Sequence, residues 1–196
     1  MSKNLKIILA STSERRISII KQLGISNFEV VKPNFNENCF ESNKFITKHV
    51  VEKAFMKASS VIKRFKEEDF LVISGDTEVY RSGMIFTKSN SEKKVKNYLE
   101  SLSGKKHFVF GGICVISSCG VVSKKCVKSE VYFDRIPKNE LLNKALIKEG
   151  LGKSGGYAIQ GIASKFVRKI RGSYSNIVGL SIYDLNLILG SFGFKN

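Results

Sequence analysis

Proline is nearly missing: Pro33 and Pro137 are the only two in 196 residues, and no low-complexity linker or repeat appears. That excludes a proline-rich spacer and favours one domain over residues 1–196, long enough to bury about 70% of its unfolded surface. Cysteine is sparse as well. Cys39, Cys114, Cys119 and Cys126 form no C-x-x-C, and the two histidines, His49 and His107, lie far from them in sequence. A zinc site needs four ligands at short paired spacings, so none is expected. No 18-residue apolar run exists. The best stretch, Gly172–Phe194, is broken by Asn176, Asp184, Asn186 and four serines. Near the start, Ile7–Ala10 is too short for a secretory core before Ser11-Thr12-Ser13. The expectation is a soluble cytoplasmic protein with reduced thiols and no membrane partner.

Acidic residues are also few. Seventeen oppose 33 basic ones, giving +16 and a pI near 9.8. Such a balance points first to an anionic partner. Yet the excess is +6 over residues 1–68, +4 over 69–133 and +6 over 134–196, with no focus along the chain. Lys, Ile and Asn, all encoded by A/T-rich codons, number 26, 20 and 13. Codon usage accounts for much of the excess. With no zinc finger and no RNA-binding aromatic motif, the expectation is no nucleic acid.

Hydrophobic periodicity supplies the elements. Lys6–Ala10 reads as a buried strand. Ser11 and Glu14 match a capping box before a helix over Glu14–Leu23. Phe28–Val31 is a second strand. Ile46, Val50, Ala54, Ala58, Val61 and Phe65 recur at helical steps across 44–66. Phe70–Ser74 is a strand ending at Gly75-Asp76-Thr77, and Val79–Phe86 a hairpin turning at Ser82-Gly83. A helix follows over Glu92–Leu102, with Val95, Leu99 and Leu102 inward. Phe108–Ser117 and Val121–Asp134 are long strands. Pro137 opens a helix through Leu146, and a Gly-rich loop spans Glu149–Gly156. Tyr157–Gln160 and Phe166–Ile170 are short strands, and Ile182–Phe192 closes the chain as a helix. Alternating strands and helices make the fold class α/β, with a mixed central sheet flanked by helices.

Four features could carry chemistry. Ser11 to Arg16 joins a strand to a helix start, where free N–H groups, hydroxyls and two arginines suit a phosphate, although an ordinary helix cap looks the same. Asp76, placed at the carboxyl end of a strand, suits a general base or a metal ligand, or a simple turn. Lys53 and Lys88 could meet a polyphosphate, though any of 26 lysines could equally be solvated. Gly150-x-Gly152-x-x-Gly155 matches the dinucleotide fingerprint by letter only: it follows a helix and precedes Tyr157, the reverse of the required order. The embedded Gly-Lys-Ser is no P-loop, because Ile147 stands where glycine is needed.

In order, several segments resemble the Maf family of nucleoside triphosphate pyrophosphatases across about residues 5–190. They are Leu9-Ala10-Ser11-x-Ser13-x-Arg15-Arg16, Glu52-Lys53-Ala54, Gly75-Asp76-Thr77 and Leu102-Ser103-Gly104. His107, Gly155-x-Tyr157-x-Ile159-Gln160-Gly161 and Gly172-Ser173-Tyr174-Ser175-Asn176-x-Val178-Gly179-Leu180 complete the set. The resemblance implies two lobes with a cleft between them, as in inosine triphosphatases, and a homodimer. It implies hydrolysis of a nucleoside triphosphate to the monophosphate and pyrophosphate with Mg²⁺ or Mn²⁺. Asp76 matches the family's catalytic acidic residue, as general base or metal ligand. Ser11, Arg15, Arg16, Lys53 and Lys88 match its phosphate-binding positions. Glu37 aligns with an acidic, metal-side residue, with Asn36 where Asp is usual. Arg15, Thr77 and Gln160 match the branch acting on dTTP and UTP rather than the one acting on 7-methyl-GTP. Glu14, Ser89, Gly111, Ser154, Gly156 and Ser181 depart from the family's usual residues. A different class, a basic nucleic-acid-binding or cell-division regulator, is the alternative to an enzyme.

Overall fold

The computed structural model describes residues 5–35, 45–66 and 69–194. The chain runs β1 (Lys6–Leu9), α1 (Glu14–Gln22), β2 (Phe28–Val30), α2 (Ile46–Ile62), β3 (Phe70–Arg81), β4 (Met84–Phe86) and α3 (Glu92–Leu102). Then come β5 (Lys106–Ser117), β6 (Val122–Phe133), α4 (Lys144–Gly150), β7 (Val167–Arg171), α5 (Tyr174–Val178) and α6 (Ile182–Ser191). One seven-stranded sheet has the order β2-β1-β3-β5-β6-β7, with β4 on β3. β1 pairs parallel with β2 and β3, while β3–β4 and β6–β7 are antiparallel. The mixed α/β sheet expected from the alternation is therefore present. No helix among the described residues is long and apolar enough to cross a membrane.

The chain divides into two compact units. The first holds Met1–Asp76, Gly111–Val127 and Gly179–Asn196, the second Thr77–Phe110 and Lys128–Val178.

In the first unit β1 lies between two parallel neighbours, so Ile7, Ile8 and Leu9 are buried on both faces and read as a continuous apolar run. Ala54, Ala58 and Val61 of α2 pack on Ile8, Val72, Cys114 and Ile116. The small side chains let the helix lie close. At Gly112 a Cβ would collide with the Val50 carbonyl, so α2 rests on the backbone of β5 there. This closeness brings Lys53 and Lys57 down to the sheet.

In the second unit α3 buries Val95, Leu99 and Leu102 as the periodicity predicts, and Ser91 caps it by accepting from Lys94 N. The hairpin turns at Ser82-Gly83, with Arg81 opposite Met84. His107, Phe133 and Tyr157 form an edge-to-face cluster with ring centres 4.9–5.5 Å apart.

Several expectations are corrected. β3 does not stop at Ser74 but runs on to Arg81, so Asp76 lies in mid-strand. Gly75 marks a close approach rather than a turn: a Cβ there would meet Leu180 Cδ1 at 3.0 Å and the Gly112 carbonyl at 3.2 Å. The helix expected from Pro137 through Leu146 is broken. The Pro137 carbonyl accepts from Glu140 N and Leu141 N in a 3₁₀ turn. Asn143 then leaves helical geometry, and its Oδ1 accepts from Ala145 N and Leu146 N to start α4. Tyr157–Gln160 is not a strand. Its ends are held instead by the Tyr157 ring in the aromatic cluster and by Glu149, which accepts from Ile162 N. The segment Gly172–Leu180 contains α5, with Ser173 Oγ accepting from Asn176 N.

Candidate functional site

The first unit places Asp76 on β3 at 1% exposure. Lys57 and Lys53 project toward it from α2, one helical turn apart. Lys57 Nζ donates to Asp76 Oδ1 at 2.6 Å, and Lys53 Nζ lies 3.4 Å from Oδ2. Both lysines are buried. Burial alone would raise the Asp76 pKa. The charges of Lys57, Lys53 and Arg16, with the Lys57 hydrogen bond, outweigh it and hold the carboxyl below its ordinary value. Asp76 is thus a carboxylate at neutral pH.

Ser11 and Arg16 stand at the β1–α1 junction, both buried. Arg16 Nε donates to the Gly179 carbonyl at 3.0 Å, and Nη1 donates to Ser11 Oγ at 3.4 Å. The capping box is not formed. Ser13, not Ser11, is the helix cap and its side chain makes no capping bond, while Ser11 Oγ accepts from Ser13 N. Ser11 is thereby committed to the arginine rather than to Glu14. Arg15 is half-buried, and burial first, then Arg16, lowers its pKa. Lys57, Lys53 and Arg16 thus act on one buried carboxylate, and Arg16 carries the Ser11 hydroxyl with it; cations and hydroxyls are groups that can bind phosphate.

Lys57 was not among the residues expected. Its signal was present: Lys53 and Lys57 precede Ala54 and Ala58 on the apolar stripe of α2, and lysines on a buried stripe seldom lie there without a partner.

Thr77, Lys88 and Gln160 belong to the second unit. Thr77 follows Asp76 on β3 and is half-buried; Lys88 and Gln160 are exposed. The Gly-rich segment ties the first two together. Ser154 Oγ lies 2.8 Å from the Thr77 carbonyl and 3.0 Å from Glu78 Oε2, and Gly152 N donates to the carbonyl of Ser89, the neighbour of Lys88. Its glycines serve packing, since a Cβ at Gly150 would collide with the Gly156 carbonyl. Glu78, buried at 2% exposure, is a further carboxylate the motifs did not mark. Glu37 lies outside the described residues.

Among the described residues no three His, Cys, Asp or Glu side chains gather as a metal cluster. Asp76 Oδ2, however, is buried and accepts no hydrogen bond. Mg²⁺ is commonly held by one or two carboxylates together with substrate phosphates and waters. The donor set fits that form of binding.

The family described as Maf-like protein matches residues 6–192. A dTTP/UTP pyrophosphatase of Caldicellulosiruptor bescii is 38% identical over 192 residues, covering 96% of each chain. Another, of Clostridium beijerinckii, is 38% identical over 186 residues, covering 94% of this chain and 98% of its own. A solved HAM1 protein from Coxiella burnetii aligns with TM-score 0.56 at 14% identity, over 95% of this chain and 99% of that one, a likeness of fold alone.

Proposed function

Because the chain belongs to the Maf-like protein family, we propose that it hydrolyses dTTP and UTP to the monophosphate and pyrophosphate. It is a nucleoside triphosphate pyrophosphatase, and the pyrimidine substrates, the metal and a cytoplasmic site of action are the finer parts of the reading. The observation that carries it is Asp76, buried and ringed by Lys57, Lys53 and Arg16.

In this reading the phosphates bind Ser11, Arg15, Arg16, Lys53 and Lys88 through charge-assisted hydrogen bonds. A water oxygen attacks the α-phosphorus, the bond to the bridging oxygen breaks, and pyrophosphate leaves. Asp76 takes the proton of that water at Oδ2. A carboxylate held by two ammonium groups is a weak base. As Lys53 turns to the phosphates, its hold on Asp76 relaxes and the basicity of Asp76 rises. Asp76 would also be the described ligand of a Mg²⁺ or Mn²⁺ ion, with Glu37 as its second carboxylate. Such an ion supplies neutralisation of phosphate charge and orientation of water. Gln160 offers both a carbonyl and an amide to the mixed edge of thymine or uracil. With Arg15 and Thr77 it favours a pyrimidine over 7-methyl-GTP.

A nucleotide panel tests this. Pyrophosphate release should be fastest with dTTP and UTP in the presence of Mg²⁺ or Mn²⁺. Preference for 7-methyl-GTP would overturn the base assignment, and inertness toward every nucleotide would overturn the reaction.

A further inference from the structure

The charge that has no focus along the chain acquires one in the sheet. On a strand, alternate residues share a face, and directly opposed residues of neighbouring strands share it too. In the second unit Lys128, Glu130 and Tyr132 line one face of β6. The β7 register sets Arg171 opposite Glu130 and Lys169 opposite Tyr132. Lys106 and Phe108 of β5 join the same face. Lys106 Nζ lies 5.0 Å from the Phe108 ring centre and 5.9 Å from that of Tyr132, and Lys128 Nζ is 4.2 Å from Phe108. The Arg171 guanidinium lies 5.8 Å from the Tyr132 ring.

Four cations thus oppose one carboxylate on a single face. That carboxylate is engaged already: Glu130 Oε2 accepts from the Tyr132 hydroxyl at 2.6 Å, and Oε1 lies 3.9 Å from Lys106. Lys106, Lys128, Lys169 and Arg171 are exposed, and Phe108 and Tyr132 are half-buried beneath them.

The arrangement selects among occupants. The same face of a second copy of this chain would set four cations against four and be repelled. A bilayer surface is held best where apolar side chains can insert, and here the rings lie under charged groups. Cations interleaved with aromatic faces are the combination that holds single strands, phosphates on the cations and bases on the rings. We propose that this face of β5, β6 and β7 binds single-stranded nucleic acid without sequence preference. Phosphates draw Lys106 and Lys128 aside, and bases take their places over Phe108 and Tyr132. This proposal departs from the expectation of no nucleic-acid partner, which weighed charge only along the chain and looked for linear motifs.

The test is fluorescence anisotropy of a labelled oligothymidylate of about 12 nucleotides, a length within the usual span of such surfaces. The full chain is titrated across roughly 20–200 mM salt. Saturating pyrophosphate is present throughout, so that the residues proposed to bind the triphosphate do not contribute. Four phosphate contacts give a log–log salt slope of about −3, from about 0.7 per contact on single strands. Lys128→Ala with Arg171→Ala should halve that slope and weaken binding at least about tenfold at low salt. Tyr132→Leu should weaken binding several-fold and leave the slope unchanged, as loss of stacking does. Thermal melting of each variant checks the fold. If the double variant fails to fold, Lys169→Ala on the edge strand should lower the slope by about 0.7. No binding at the lowest salt overturns the proposal. So does binding that neither charge variant changes, a Tyr132→Leu variant that binds like wild type, or poly-glutamate competing as well as the oligonucleotide.

Discussion

Lys57 Nζ stands 2.6 Å from Asp76 Oδ1, both groups buried, while Lys53 holds the other oxygen at 3.4 Å. The carboxylate is therefore ionised at neutral pH and shared between two ammonium groups from one helix. Lys57→Met removes one of them and leaves Asp76 with Lys53 and Arg16. Breaking a buried pair outright costs about 3–5 kcal/mol, and the two remaining cations should reduce that to about 1–3 kcal/mol. The pH dependence follows in sign. Asp76 has a depressed folded-state pKa, so its contribution is present above the ordinary carboxylate value of about 3.9 and is lost as pH falls through the folded value. In Lys57→Met the folded value rises and this contribution shrinks. Urea melts from neutral to acid pH should show a lower plateau and less acid-dependent loss from this group. Indistinguishable curves would mean that Lys57 does not hold the carboxylate.

His107 gives a second pH signature. Burial lowers its pKa to about 4, and its Nε2 lies 2.8 Å from the Tyr157 hydroxyl. A histidine protonated more readily when unfolded stabilises the fold fully above about pH 6.5. That stability erodes as pH falls toward 4, where the folded protein also takes the proton. The span corresponds to roughly 3 kcal/mol at most. Wild type should lose more melting temperature between neutral pH and about pH 5 than His107→Gln, which keeps a polar partner for Tyr157 and does not titrate. Equal losses would place the histidine in a solvated setting.

Glu149 accepts from Ile162 N at 2.7 Å and from Ala163 N at 3.4 Å, just beyond Gln160. Glu149→Ala leaves two amides without this partner and should cost about 1–3 kcal/mol. If Gln160 reads the base, KM for dTTP should rise more than kcat falls. Melting curves and steady-state kinetics separate the two effects.

Arg16 spreads its guanidinium between the Gly179 carbonyl and Ser11 Oγ. Lysine keeps the charge and loses the fork, so Arg16→Lys should raise KM for the triphosphate about tenfold or more. Unchanged kinetics would show that charge alone suffices.

The fold was legible where periodicity dominates. α3 and the β3–β4 hairpin stand close to their expected bounds because their apolar spacing and turn residues admit one reading. The nearness of Ser11 to Arg16 was legible because both stand at the β1–α1 junction, whereas Lys53 lies within α2 and Asp76 in mid-strand, and they meet through the packing of that helix on the sheet. Other features depend on long-range packing. Gly75 looks like a turn residue until Leu180 and Gly112 are seen against it. Pro137 opens a helix by local preference, but Asn143 restarts it six residues later. Lys57 was hidden because a lysine reads as solvent-facing unless its neighbours on the stripe are weighed. The sheet-face charge was hidden because β7 is remote in sequence from the adjacent strands β5 and β6, and the cations share a face only through strand register.

The most direct measurement is pyrophosphate release from dTTP by wild type and by Asp76→Asn, with dTTP binding and melting followed for both. Loss of the carboxylate leaves Lys53 and Lys57 facing a neutral amide, so a lower melting temperature is expected. Wild type should release pyrophosphate rapidly. The folded variant should be slower by about 100-fold or more and still bind the nucleotide. A folded Asp76→Asn enzyme that turns over dTTP at the wild-type rate would contradict the role of Asp76 as the base.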